Sequence, residues 1–161
     1  MKFYKYIITI VGCSFLFSQD LTWNQEVVTF KSANPFSFEE IITNLDNEPV
    51  QDVSGILTLP EDFDPNIKYP LIIGVAGSLN WGPHHLKYLK MFQEMGFATF
   101  QLQSFDSRDV QSTVGTQTEV TTAMVILDSY RALEALSGHP NIDTNHAGIT
   151  GWSLGGGVSL Y

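Results

Sequence analysis

The sequence predicts an α/β domain in which helices flank a mostly parallel sheet. Three observations carry this. The 161 residues are 43% hydrophobic and 16% charged, enough apolar material for one packed domain and too much for a disordered chain. From residue 69 onward strand-like and helix-like segments alternate through three strands and three helices, an order that implies right-handed crossovers between parallel strands. Finally, Leu71, Ile72, Ile73, Gly74, Val75 and Ala76 form an apolar run without alternation, as a strand buried on both faces does.

The elements follow in order. Residues 1–19 read as a secretory signal: Lys2 and Lys5, a short apolar run through Ile7, Ile8, Ile10 and Val11 to Phe17, then Ser18 and Gln19 before an acidic start at Asp20. The run is too short for a membrane span, so export to the periplasm or exterior is expected, with the domain beginning at residue 20. Removal of Lys2 and Lys5 takes the formal charge from −9 to −11. Ile10-Val11-Gly12-Cys13 also resembles a lipoprotein box, which makes a lipid on Cys13 the second reading. Residues 21–50 give weaker signals. Val27 to Phe30 have strand character, and residues 36–45 suit either a strand or a short helix.

Residues 53–59 are strand-like, and residues 60–70 form an acidic, proline-punctuated loop. After the strand at 71–76, a loop at 77–82 leads to Pro83, suited to a first helical turn. Leu86, Leu89, Phe92 and Met95 then recur at helical spacing before Gly96. Residues 97–102 read as a strand and 103–117 as a polar loop. Val120, Ala123, Leu127, Tyr130, Leu133 and Leu136 define the apolar stripe of a second helix, which leaves Asp128 and Arg131 on its surface. Residues 139–145 form a turn-rich connection, 146–150 a short strand, and Gly151 opens a sharp turn into the last helix.

Acidic residues outnumber basic ones 17 to 8, and no basic cluster follows the opening segment, so no general grip on nucleic acid is expected. The single cysteine, Cys13, allows neither a disulfide framework nor a cysteine zinc site. Chemistry must come from Ser, His, Asp, Glu or the backbone. In parallel sheets ligands collect at the carboxyl ends of the strands, and the strand at 146–150 ends in Gly151-Trp152-Ser153-Leu154-Gly155. This fits the G-x-S-x-G nucleophile elbow, a weak signal as a string and a strong one between a buried strand and a helix. Small residues at 151 and 155 let strand and helix approach. Ser153 is then exposed at the tip, and the Leu154 amide faces a developing oxyanion.

At these residues the sequence resembles the α/β-hydrolase fold and, more narrowly, the dienelactone hydrolase family. Shared features include Tyr69-Pro70, Gly77-Ser78, Met95-Gly96-Phe97-Ala98, Ser104-Phe105 with Arg108, and Thr113-Val114-Gly115. They continue with Asp128 and Tyr130, His139-Pro140, Ile142-Asp143 and Gly151-Trp152-Ser153. The resemblance implies a serine hydrolase of carboxylic esters or lactones with Ser153 as nucleophile and no cofactor. It also implies a second oxyanion amide at Ser78, in a loop where Ala76-Gly77 replaces the His-Gly of many relatives.

In this fold the triad acid and histidine follow the serine, yet none of the eight residues after Ser153 is Asp, Glu or His. His146 starts the strand that ends at the elbow, roughly 20 Å away at about 3.3 Å per residue, and His139 lies before it. His84 and His85 are on the correct edge, where pocket wall is their expected role rather than base. Arg108, between Asp106 and Asp109, is expected to anchor its loop by an ion pair, the alternative being contact with an anionic substrate. Trp81 and Trp152 are candidates for an apolar pocket. The expectation is therefore the amino-terminal part of an exported esterase, truncated after the nucleophile elbow and inactive as a 161-residue chain. A small-molecule ester or lactone is the expected partner. The competing readings are an exported peptidase of prolyl oligopeptidase type and a non-catalytic remnant that binds without chemistry.

Overall fold

A computed structural model describes residues 21–161; the expected signal segment and Cys13 lie outside the described residues. Strands β1 (Gln25–Ala33) and β2 (Val50–Thr58) form an antiparallel pair whose register runs from Gln25 opposite Thr58 to Ala33 opposite Val50. Between them, the segment that suited strand or helix forms α1 (Phe38–Thr43) and a 3₁₀ turn. Ser37 explains the choice. Its hydroxyl accepts from the Glu40 amide while the Glu40 carboxylate returns to the Ser37 amide, a reciprocal cap that starts a helix.

Next come β3 (Tyr69–Val75), α2 (Pro83–Glu94), β4 (Ala98–Leu102), α3 (Thr122–Leu136), β5 (Ile142–Gly151) and α4 (Leu154–Val158). The sheet order is β1-β2-β4-β3-β5. β2 is antiparallel to both β1 and β4, while β3 is parallel to β4 and β5, so every strand except β2 runs the same way. The mostly parallel sheet with flanking helices is thus present, with one reversed strand contributed by the amino-terminal hairpin.

Side-chain alternation along β3 separates the layers. Leu71, Ile73 and Val75 join the cluster containing Val125, Ile126 and Ala132 of α3, whereas a side chain at Gly74 would point at Leu89 and Trp81 on the α2 side. β5 begins earlier than expected. Ile142 and Asp143 pair with Tyr69 and Pro70, and then the register jumps so that Leu71 meets Ala147. Thr144, Asn145 and His146 therefore loop out of the ladder, and Asp143 holds them by accepting from the Asn145 amide (3.1 Å) and pairing with His146 Nδ1 (2.7 Å). The turn-forming residues read from the sequence are a bulge inside a strand.

The placement of Asp128 on a helix surface is corrected. It is fully buried, because the first half of α3 is covered on a second side by β1 and the loop after β4. There it meets Arg108 in a two-pronged pair at 2.7 and 3.1 Å. Arg131 does lie on the surface, paired with Glu134 at 2.7 Å.

Candidate functional site

The carboxyl ends of β3, β4 and β5 point to one edge, and a strained backbone position lies there. Ser153, between β5 and α4, has φ 53° and ψ −112°, a conformation rarely open to a residue with a side chain. The turn is tight on both sides: a Cβ at Gly151 would stand 2.0 Å from the Gly155 carbonyl oxygen, and one at Gly155 would stand 2.3 Å from that of Val75. Only glycine fits either place. The Ser153 side chain is exposed at the tip, and among the described residues its hydroxyl has no hydrogen-bond partner.

The loop after β3 lies against this turn. A Cβ at Gly77 would be 3.1 Å from the Trp152 carbonyl oxygen and 3.5 Å from Ser153 Cβ. Ser78 follows, and its carbonyl accepts from the Thr113 amide (2.9 Å) and the Ser112 hydroxyl (3.1 Å), which pins the loop to the segment after β4. Asn80 takes a positive φ of 63°, a conformation asparagine tolerates, and donates its amide to Asp106 at 2.8 Å. Among the described residues the amides of Ser78 and Leu154 donate to no protein acceptor.

An aromatic wall stands beside the turn. The His85 ring stacks on Trp152 at 4.5 Å and 25°, and Trp81 meets Trp152 edge-on at 5.9 Å. Trp81 is fixed by its indole N–H, which donates to the Leu102 carbonyl at 2.9 Å. His85 is buried, and its Nδ1 accepts from the Gly82 amide at 3.1 Å, which requires an unprotonated nitrogen. Burial, and then the neighbouring His84, hold its pKa below the ordinary histidine value.

No protein-family model and no curated protein matches the chain. Solved structures do match. One is a dienelactone hydrolase-like promiscuous phosphotriesterase from metagenomic libraries, with a TM-score of 0.58 at 14% identity over 85% of this chain and 53% of the other. A dienelactone hydrolase from Anabaena variabilis gives 0.53 at 17% identity over 85% and 56%. Dipeptidyl peptidase 4 from Porphyromonas gingivalis gives 0.52 at 19% identity over 84% and 18%. The chain has the α/β-hydrolase fold. It spans about half the length of the dienelactone hydrolase-like structures it matches.

Within the hydrolase fold, the remaining candidates separate cleanly. His139 lies at the far edge with its Nε2 2.8 Å from Glu26, and His146 lies in the β5 bulge beside Asp143. Neither is near the elbow's end of β5. His84 and His85 are on the correct edge, but His85 has spent its Nδ1 on Gly82 and packs face-on against Trp152. Arg108 is the loop anchor of the two expected roles: besides Asp128, it donates to Asn34, Ser104 and Ala33. Asp106 is taken by Asn80, and Asp109 sits in a left-handed turn at φ 56°. Leu79 and Val114, which the sequence alone did not single out, line the cleft beside Ser153. The Thr113-Val114-Gly115 match was the available signal for the second of them.

Proposed function

We propose that this chain carries the nucleophile of a serine hydrolase that cleaves carboxylic esters or lactones. The observation that carries the reading is the strained, exposed Ser153 at the carboxyl edge of the sheet, since a protein keeps such backbone strain where it serves a site. Neighbours described as dienelactone hydrolases support the ester or lactone substrate.

In this reading Ser153 Oγ adds to the ester carbonyl carbon and the Leu154 and Ser78 amides hold the resulting oxyanion. Both amides are uncommitted; the bonds from Ser112 and Thr113 to the Ser78 carbonyl hold that loop to the segment after β4, and Gly77 packs against Trp152 of the elbow. The serine proton passes to a histidine supplied by sequence outside these 161 residues, which then protonates the departing alcohol. Water cleaves the acyl-enzyme by the same route in reverse. The signal-like segment assigns the protein to the exported fraction, with a mature start near Asp20 that mass spectrometry of the secreted product would read.

The test is turnover of 4-nitrophenyl acetate by the protein expressed from its full reading frame. Ser153→Ala should lower kcat by several powers of ten, and the 161-residue chain alone should be inactive. An unchanged rate in Ser153→Ala would remove Ser153 from the reaction. The likeness to a dipeptidyl peptidase favours a second reading, in which the same serine cleaves a peptide bond. Turnover of dipeptide anilides in preference to aryl esters would select it.

A further inference from the structure

An oxyanion amide stabilises charge only when its N–H points at the oxygen that acquires it, so whatever orients the Ser78 amide bears on the reaction. In a trans peptide the N–H of one residue and the carbonyl of the residue before it lie antiparallel in one plane. The direction of the Ser78 N–H is therefore tied to the Gly77 carbonyl, which accepts from the Asn80 amide at 2.9 Å. That bond closes a tight turn from Gly77 to Asn80, and Asn80 takes its left-handed φ of 63° at the end of it. The same turn packs on the elbow through Gly77 and Trp152.

The Asn80 side chain is held at both ends. Its Oδ1 accepts from the Trp81 amide at 2.9 Å, and its Nδ2 donates to the Asp106 carboxylate at 2.8 Å. The first bond is local, whereas the second crosses to the segment after β4. Asp106 opens a 3₁₀ turn that ends at Arg108, whose side chain is 5% exposed and bonded to Asp128, Asn34, Ser104 and Ala33. A line of bonds thus runs from a buried ion pair through Asp106 and Asn80 to the Gly77–Ser78 peptide. A glycine would satisfy the left-handed φ without any partner, and an exposed bond between side chains adds little to folding. What the Asp106 bond does add is a fixed position for the turn that carries the Ser78 amide.

We propose that Asn80 and Asp106 are positioning residues for that amide: Asp106 holds the Asn80 side chain, and Asn80 holds the Gly77–Ser78 peptide with its N–H toward the oxyanion formed on Ser153. The inference rests on the hydrolase reading of Ser153 and adds to it the residues that set one of its two oxyanion donors.

The test is 4-nitrophenyl acetate turnover by the protein expressed from its full reading frame. Asp106→Ala should lower kcat about tenfold with KM unchanged within about twofold, less than the loss of about a hundredfold or more that follows outright removal of an oxyanion donor. Asn80→Gly, which keeps the backbone conformation but drops the carboxamide, should lose as much, and the double variant no more than either single. Asp106→Asn keeps an acceptor for Asn80 and should restore kcat to within about threefold of the parent. Two inhibitors separate positioning from general loosening of the fold. Benzylacetone fills the site as a ketone, while its trifluoromethyl analogue accepts Ser153 Oγ at the carbonyl carbon and becomes an oxyanion, the serine proton passing to the histidine as in ester cleavage. Asp106→Ala should weaken the trifluoromethyl ketone by about the same factor as kcat and leave benzylacetone unchanged. Full kcat in Asp106→Ala or Asn80→Gly, single losses that multiply in the double variant, no rescue by Asp106→Asn, or equal weakening of both inhibitors would each overturn the inference. Any of these with turnover still lost in Ser153→Ala leaves the hydrolase standing. Turnover that survives Ser153→Ala removes the hydrolase reading and the positioning role with it.

Discussion

Ser153 pays for its position with backbone strain, a cost of about 1–3 kcal/mol for a side-chain-bearing residue in a sparsely populated region. Two substitutions isolate that cost, because each removes the hydroxyl. Ser153→Gly should be more stable than Ser153→Ala by about 1 kcal/mol in urea unfolding, and equal stabilities would mean the strain is not stored there. His85 supplies a pH signature. Its folded-state pKa is held below the ordinary value near 6.5, so the unfolded chain takes up the proton first and stability falls as the pH drops below that value. His85→Gln, which offers an amide oxygen to Gly82 but does not titrate, should flatten the stability profile between about pH 6.5 and 5, above the range where carboxylates titrate. A slope that persists in that variant would assign it to another histidine. At this scale the sequence was readable wherever the chemistry is local. The elbow is a contiguous string, whereas the stacking of His85 on Trp152 joins residues from two different elements and leaves no mark in either segment.

Among the elements, α3 departs furthest from its apparent pattern. Its helical stripe predicts one buried face, but Ala123 through Ser129 are all buried because β1 and the loop after β4 close over them. Asp128 survives there through Arg108 and the Ser32 hydroxyl, which donates at 2.6 Å. No periodicity within α3 encodes a partner twenty residues away on another segment. Removing one member leaves a buried charge unpaired, so Asp128→Ala or Arg108→Ala should each cost about 3–5 kcal/mol in denaturant unfolding. Replacing both together, as Arg108→Met with Asp128→Leu, should recover much of that loss; a double variant as unstable as the sum of the singles would mean the pair contributes more than mutual neutralisation. Strand β5 teaches a related lesson. Its first two residues pair with Tyr69 and Pro70, but the looped-out Thr144, Asn145 and His146 disguise that start as a turn.

For the molecule as a whole, the alternating pattern after residue 69 made the parallel part legible, and the reversed β2 was not, since its direction is set by pairing with both β1 and β4. β5 pairs on one side only among the described residues, and beside it lies an apolar groove of about 250 Å³ lined in part by Ile73, Ile126, Leu133 and Ile149. The 161-residue chain on its own should therefore self-associate, and Ile149→Lys, which puts a charge at that margin, should shift light scattering toward the monomer. A monomeric wild-type chain at high concentration would refute this. The close fit of Gly155 against the carbonyls of Val75 and Ala76 also sets a schedule. The elbow takes its shape from contacts with a segment some eighty residues earlier in the chain, so it is a late product of folding rather than a preformed turn. A newly made chain would carry Ser153 in an ordinary turn until β3 and β5 have docked, so the nucleophile proposed for this site would be assembled only once the domain has folded.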